Sequence, residues 1–196
     1  FVFNSFVEVD PGETFAVIGE SSNGDVFKVA LDGSGLTPLT TLAFNYDAVF
    51  EDANHVIVSA SLCALTGAFG CGNDLARVNT DTGATTIIAS VTGPSGPVAF
   101  DRNGDLFYGL VDITIPSNSQ VIVWEASELS GSPLLDEGDA DVFHGGLESA
   151  TSLAIDPVFG NVLLVESVFG GTSRILEIDG ATGALADVVV ESLSYL

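Results

Sequence analysis

Four times along 196 residues, a short run of β-branched and aromatic residues meets an acidic residue, turns, and returns as a second apolar run. The anchors are Asp10, Glu51, Asp101 and Asp156. Before them stand Phe6-Val7-Glu8-Val9, Ala48-Val49-Phe50, Val98-Ala99-Phe100 and Leu153-Ala154-Ile155. After them come Thr14-Phe15-Ala16-Val17-Ile18, His55-Val56-Ile57-Val58, Leu106-Phe107-Tyr108 and Val162-Leu163-Leu164-Val165. The residues between, such as Pro11-Gly12, Asn103-Gly104 and Gly160-Asn161, preset a turn or tolerate positive φ, which is the chemistry of a β-hairpin. No stretch carries the apolar spacing of a helix, so an all-β chain is expected.

Each hairpin is followed by two more strands. The third strands read as Val26–Val29, Leu75–Val78, Val121–Trp124 and Ile175–Ile178, and the fourth as Thr37–Leu39, Thr85–Ile88, Ser132–Leu135 and Ala186–Val190. Four strands make an antiparallel blade, and repeated blades make a β-propeller. One propeller domain is expected over 1–196, with blades near 1–44, 45–93, 94–146 and 147–196. A closed ring of four blades and a partial propeller completed by other chains both satisfy this count. Ser192–Leu196 reads as the opening of a further first strand, as expected if the chain is cut there or continues in another subunit. An open fan would leave strand edges and a blade face to be covered.

The segment Val98-Ala99-Phe100-Asp101-Arg102-Asn103-Gly104-Asp105-Leu106-Phe107-Tyr108 and the turn Asn79-Thr80-Asp81-Thr82-Gly83 resemble the repeats of extracellular propellers, the NHL-like and quinoprotein-like kinds. The Trp-Asp and Gly-His signatures of WD40 blades are missing. The resemblance covers nearly the whole chain and implies a fold without implying an activity.

Charge narrows the partners. Lys and Arg together number 4 against 27 Asp and Glu, a formal net charge of −23. Such a surface repels polyanions, so neither nucleic acid nor an anionic membrane surface is an expected partner. Apolar residues are 46% of the chain, enough for extensive burial, yet none of their runs approaches the roughly 18 residues of a membrane-spanning helix. Membrane insertion is therefore not expected.

The two cysteines, Cys63 and Cys71, flank seven residues that include two glycines. No histidine lies close by to complete a zinc site, and a disulfide is the expected state. It implies an oxidising compartment, extracellular or at the cell surface, and would stabilise the loop by about 2–3 kcal/mol.

Two stretches have the oxygen chemistry of calcium ligands. Asp101, Asn103 and Asp105 alternate as in a calcium loop, although the same residues serve a hairpin turn. Asp136, Glu137, Asp139 and Asp141 crowd into a loop expected between blades three and four, where a hard cation would relieve their repulsion. Asn4, Asn45, Asp47 and Glu148 stand near the starts of first strands, at the expected mouth of a propeller channel. His55 is expected to be structural and His144 exposed. There is no Gly-x-Ser-x-Gly elbow and no phosphate-cradling glycine motif.

These readings converge on a non-enzymatic extracellular structural or interaction module, self-associating or binding another extracellular protein and stiffened by calcium. The alternative is a calcium-dependent lactonase-type propeller hydrolase. A polysaccharide binder would require exposed aromatic side chains on its loops.

Overall fold

The computed structural model describes residues 4–61, 72–112, 114–131, 134–167 and 171–194. It contains four four-stranded antiparallel sheets, each strand pairing with its neighbour in sequence, which are the blades of a β-propeller. The chain divides into two compact units, Phe1–Ser95 with Pro133–Asp136, and Gly96–Ser132 with Glu137–Leu196.

The first unit holds two blades. One is built from β1 (Asn4–Val9), β2 (Phe15–Glu20), β3 (Asp25–Ala30) and β4 (Leu36–Thr41). The other is built from β5 (Asp47–Phe50), β6 (His55–Ser61), β7 (Asn73–Asn79) and β8 (Thr85–Val91). Alternation along each strand sends Phe6, Val17 and Val26 to one face, where they meet Ala48, Val56, Val58 and Val78 of the second blade. Removing a valine side chain of this kind from water contributes about 1.5 kcal/mol or more.

The second unit repeats the scheme. The third blade comprises β9 (Val98–Phe100), β10 (Leu106–Leu110), β11 (Ser119–Trp124) and β12 (Asp141–Leu147). The fourth comprises β13 (Ala150–Ile155), β14 (Val162–Glu166), β15 (Thr172–Ile178) and β16 (Leu185–Ser194). Ala99, Phe107, Val121 and Leu147 pack with Leu153, Val162, Leu164, Leu176 and Ile178.

The four acidic anchors occupy equivalent places, each directly after a first strand. Asp10 shows why the anchor recurs: its carboxylate accepts the N–H groups of Gly12, Thr14 and Phe15, closing the hairpin. Asp156 does the same for Val158 and Phe159. In the second blade the role passes to Asp52, which accepts from Asn54 and His55.

Three expectations need correction. The fourth strand of the third blade is Asp141–Leu147, not Ser132–Leu135. Phe143 packs edge-to-face on Phe107, with centroids 4.9 Å apart, and Leu147 enters the core, a gain the shorter Leu134–Leu135 pair cannot match. Leu135 instead bridges in parallel to Ala89 on β8, donating its N–H to Ile88 and accepting from Ser90. The acidic loop therefore lies within the third blade, and Asp141 opens β12. A one-turn helix, α1 (Ala126–Leu129), follows β11, with the Glu128 carboxylate accepting the Glu125 N–H at 2.8 Å. Four residues are too few for apolar periodicity to announce them. Finally, Ser192–Ser194 prolong β16 and do not begin a new first strand: Thr172 pairs with Ser194.

Candidate functional site

Buried polar side chains are concentrated at one end of the blades. Apart from Asp10 and Thr80, those among the described residues lie where second strands lead into third strands, or at the adjoining connection between blades. They are Glu20, Asn45, Ser59, Asn73, Asp74, Ser119, Glu166 and Ser173. A buried polar group costs free energy unless it is hydrogen-bonded, so specific bonds contribute at this end of the sheets alongside apolar packing by residues such as Leu75, Leu147 and Ala150.

In the first unit the organiser is Asn45. Its amide donates to the carbonyls of Glu20 and Leu42, each at 3.1 Å, and its Oδ1 accepts the Ser5 hydroxyl. Glu20 ends β2 and accepts the N–H groups of Ser22 and Asn23, both at 2.8 Å. The Ser22 hydroxyl, then those N–H groups, hold its carboxyl below the usual carboxylate range. On the second blade the amide of Asn73 reaches Ser59 Oγ at 3.3 Å, and Asp74 accepts Ser90 Oγ. Glu8, half-buried on β1, has its carboxyl pushed up to about 7 by burial and, second, by the charge of Asp47.

In the second unit Glu166 takes the position of Glu20. It ends β14, is 1% exposed, and accepts Arg174 Nε at 2.8 Å, Arg174 Nη2, and the Glu148 N–H at 2.9 Å. Thr151 Oγ1, Ser167 Oγ and Ser173 Oγ continue the network. The two first strands concerned also share a register shift, between Asn4 and Phe6 and between Ala150 and Ser152. The pairs Glu20-Ser21 and Glu166-Ser167 do not mark these two carboxylates in the sequence, since Glu148-Ser149 and Glu191-Ser192 carry the same pair with exposed glutamates.

The channel-mouth residues separate by role. Asn45 is a buried organiser, Asp47 opens β5 beside Glu8, and Glu148 is exposed with its N–H given to Glu166. The Asn4 side chain lies outside the described residues, as do Cys63 and Cys71.

The metal candidates are placed as follows. Asp101 accepts the N–H groups of Asn103 and Asp105 and the side-chain amide of Asn103, all within 2.9 Å, while Asp105 accepts the Ala126 N–H at the start of α1. Asp136, Asp139 and Asp141 are exposed along the segment entering β12. Among the described residues, the Asp, Glu and His groups whose ligand atoms gather within 4.8 Å are Glu51, Asp52 and His55. Arg77 already grips Glu51 through Nε and Nη2 at 2.6 Å, and Asp52 holds His55 Nδ1 at 3.0 Å. His144 is half-buried, not exposed, with Nδ1 2.8 Å from the Gly183 carbonyl oxygen. Among the described residues no helix is long and apolar enough to cross a membrane.

No family model matches the sequence, and no curated protein matches it. Solved structures do. The chain superposes on a nidogen/laminin complex with a TM-score of 0.68 at 13% identity, covering 92% of this chain and 61% of that one. On the hydrazine synthase of Kuenenia stuttgartiensis the TM-score is 0.71 at 12% identity, covering 96% and 49%. On the PQQ-bound aldose sugar dehydrogenase of Streptomyces coelicolor it is 0.69 at 12% identity, covering 96% and 67%. The chain thus spans about half to two thirds of these longer chains. At such identities the likeness speaks for architecture alone. By that measure the chain is a β-propeller of degenerate repeats, with no narrower family shown.

Proposed function

We propose that the chain is a non-enzymatic extracellular interaction module that associates with further copies of itself through the free face of its first blade. One observation carries this reading. Two complete cross-strand rows on that face are apolar: Val7, Ile18, Phe27 and Pro38, and beside it Val9, Ala16, Val29 and Leu36. Val7 is 58% exposed, Val9 44% and Leu36 64%. The opposite face of the same sheet is core, packed on another blade.

A blade face is therefore the surface that this chain already buries against a blade face. The fourth blade of another copy offers the row Ser152, Val165, Ile175 and Val190 on the side away from its own core. Such a contact joins unlike surfaces and propagates head to tail, giving filaments unless the rotation closes. Extracellular residence belongs to the same proposal and is supported by the Cys63 and Cys71 spacing and the acidic composition. That a nidogen/laminin complex shares the architecture agrees with a binding role.

Sedimentation velocity across a concentration series tests the proposal. Wild type should show mass increasing with concentration, and the Val7→Asp, Leu36→Asp double variant should remain monomeric with an unchanged circular dichroism spectrum. Wild-type protein that stays monomeric throughout, or hydrolysis of a lactone panel by it, would overturn the reading.

A further inference from the structure

Phe44 has φ of +47°, a left-handed backbone that is costly for a bulky side chain, and the residue is 53% exposed. Tyr46, two residues on, is 36% exposed. The cause is local: Asn45 between them is drawn inward to the Glu20 and Leu42 carbonyls, which leaves both rings on the outside. Ser95 Oγ fixes the turn further by donating to the Phe44 carbonyl at 3.0 Å. Folding thus bears backbone strain at Phe44 and leaves two aromatic residues partly exposed at the same turn.

A second connection lies against this one. Leu42 donates its N–H to Gly24 at 2.7 Å, which sets the exposed Ser22 and Asn23 beside the aromatic turn. Neither Ser21–Gly24 nor Leu42–Tyr46 contains a charged residue, in a chain with 27 acidic side chains. The combination is two partly exposed aromatic residues flanked by the neutral amide of Asn23, with the buried Glu20 carboxylate holding the Ser22 and Asn23 N–H groups from below.

We propose that this double turn is a binding site for neutral oligosaccharides. The C–H faces of a pyranose are apolar and lie flat on an aromatic ring, as Phe44 and Tyr46 provide, while sugar hydroxyls exchange hydrogen bonds with the Asn23 side-chain amide. Acidic glycans are disfavoured by the net charge of −23. The site is independent of the blade-face contact, since none of its residues belongs to the two apolar rows.

The test titrates the full chain with cellohexaose, laminarihexaose and mannohexaose, and with a heparin hexasaccharide as the anionic control, by calorimetry and saturation-transfer NMR. At least one neutral hexasaccharide should bind and the heparin fragment should not. Phe44→Gly suits the positive φ, so its Tm should equal or exceed that of wild type, while affinity falls about tenfold or more. Tyr46→Ala should weaken binding likewise. Failure of all three neutral sugars, equal binding of heparin, or full affinity in both variants would overturn the proposal. Sedimentation of Phe44→Gly should match wild type, which keeps this outcome separate from the association reading.

Discussion

The α carbon of Gly83 packs so closely on the Leu39 carbonyl that a β carbon built there would lie 2.1 Å from its oxygen. Gly183 meets the Phe143 carbonyl in the same way, at 2.0 Å. Both glycines have positive φ, +72° and +68°, and both end a turn between third and fourth strands, against the fourth strand of the preceding blade. The Thr-Gly pair that recurs in sequence is thus a blade-to-blade contact point as well as a turn.

Gly83→Ala is expected to destabilise by about 2–4 kcal/mol, combining backbone strain with a clash against fixed backbone. Gly33 has φ of +78° and nothing within 4 Å of a built β carbon, so Gly33→Ala should cost only about 1–2 kcal/mol. Urea denaturation midpoints separate the two, and equal losses would deny the contact its importance.

Arg174 is the cation that neutralises the buried Glu166. Arg174→Met leaves that buried carboxylate without its cation, still accepting the Glu148 N–H, and should cost about 2–4 kcal/mol. Adding Glu166→Gln to the same chain should recover part of the loss. Strictly additive effects in a double-mutant cycle would show that the pair is not coupled.

Glu8 makes stability depend on pH in the direction opposite to most carboxylates. Its folded value is raised to about 7 from an ordinary 4.5, so between these the folded chain keeps a proton that the unfolded chain releases. Stability should therefore be greatest below about 4.5 on this account, decline as pH rises toward about 7, and level off above. Glu8→Gln should flatten that interval in urea midpoints measured across the range. A slope that survives the substitution would assign the titration to another group.

Leu135→Ala should cost about 2–3 kcal/mol, because the side chain is buried along β8. Hydrogen exchange should accelerate at Ser90, whose N–H donates to the Leu135 carbonyl at 2.9 Å. Protection changes confined to β11 and β12 would return Leu135 to the third blade.

What could be read in the sequence was local. Asp10 and Asp156 announce their hairpins because a carboxylate there serves N–H groups only two to five residues ahead. The fourth strand of the third blade was misread because Leu134–Leu135 and Val142–Leu147 are both short and apolar. The choice rests on Phe143 meeting Phe107, thirty-six positions earlier, and on an open edge at Ala89. Phe44 gave no warning, since its left-handed turn is imposed by Asn45 reaching back to Glu20. Glu20 and Glu166 stayed hidden, because the Glu-Ser pair they share also occurs at the exposed Glu148 and Glu191, and acidic side chains at strand ends look solvated until burial is known.

The placement of Leu135 has a topological consequence. The polypeptide leaves the first compact unit after Ser95, returns to it for Pro133–Asp136, and departs again. A protease that severed the bond between Ser95 and Gly96 would therefore release no separate half, because the short returning stretch stays laced into β8. Separating the halves by digestion requires further cuts on both sides of that stretch, and new termini engineered at Ser95 and Gly96 should be tolerated for the same reason.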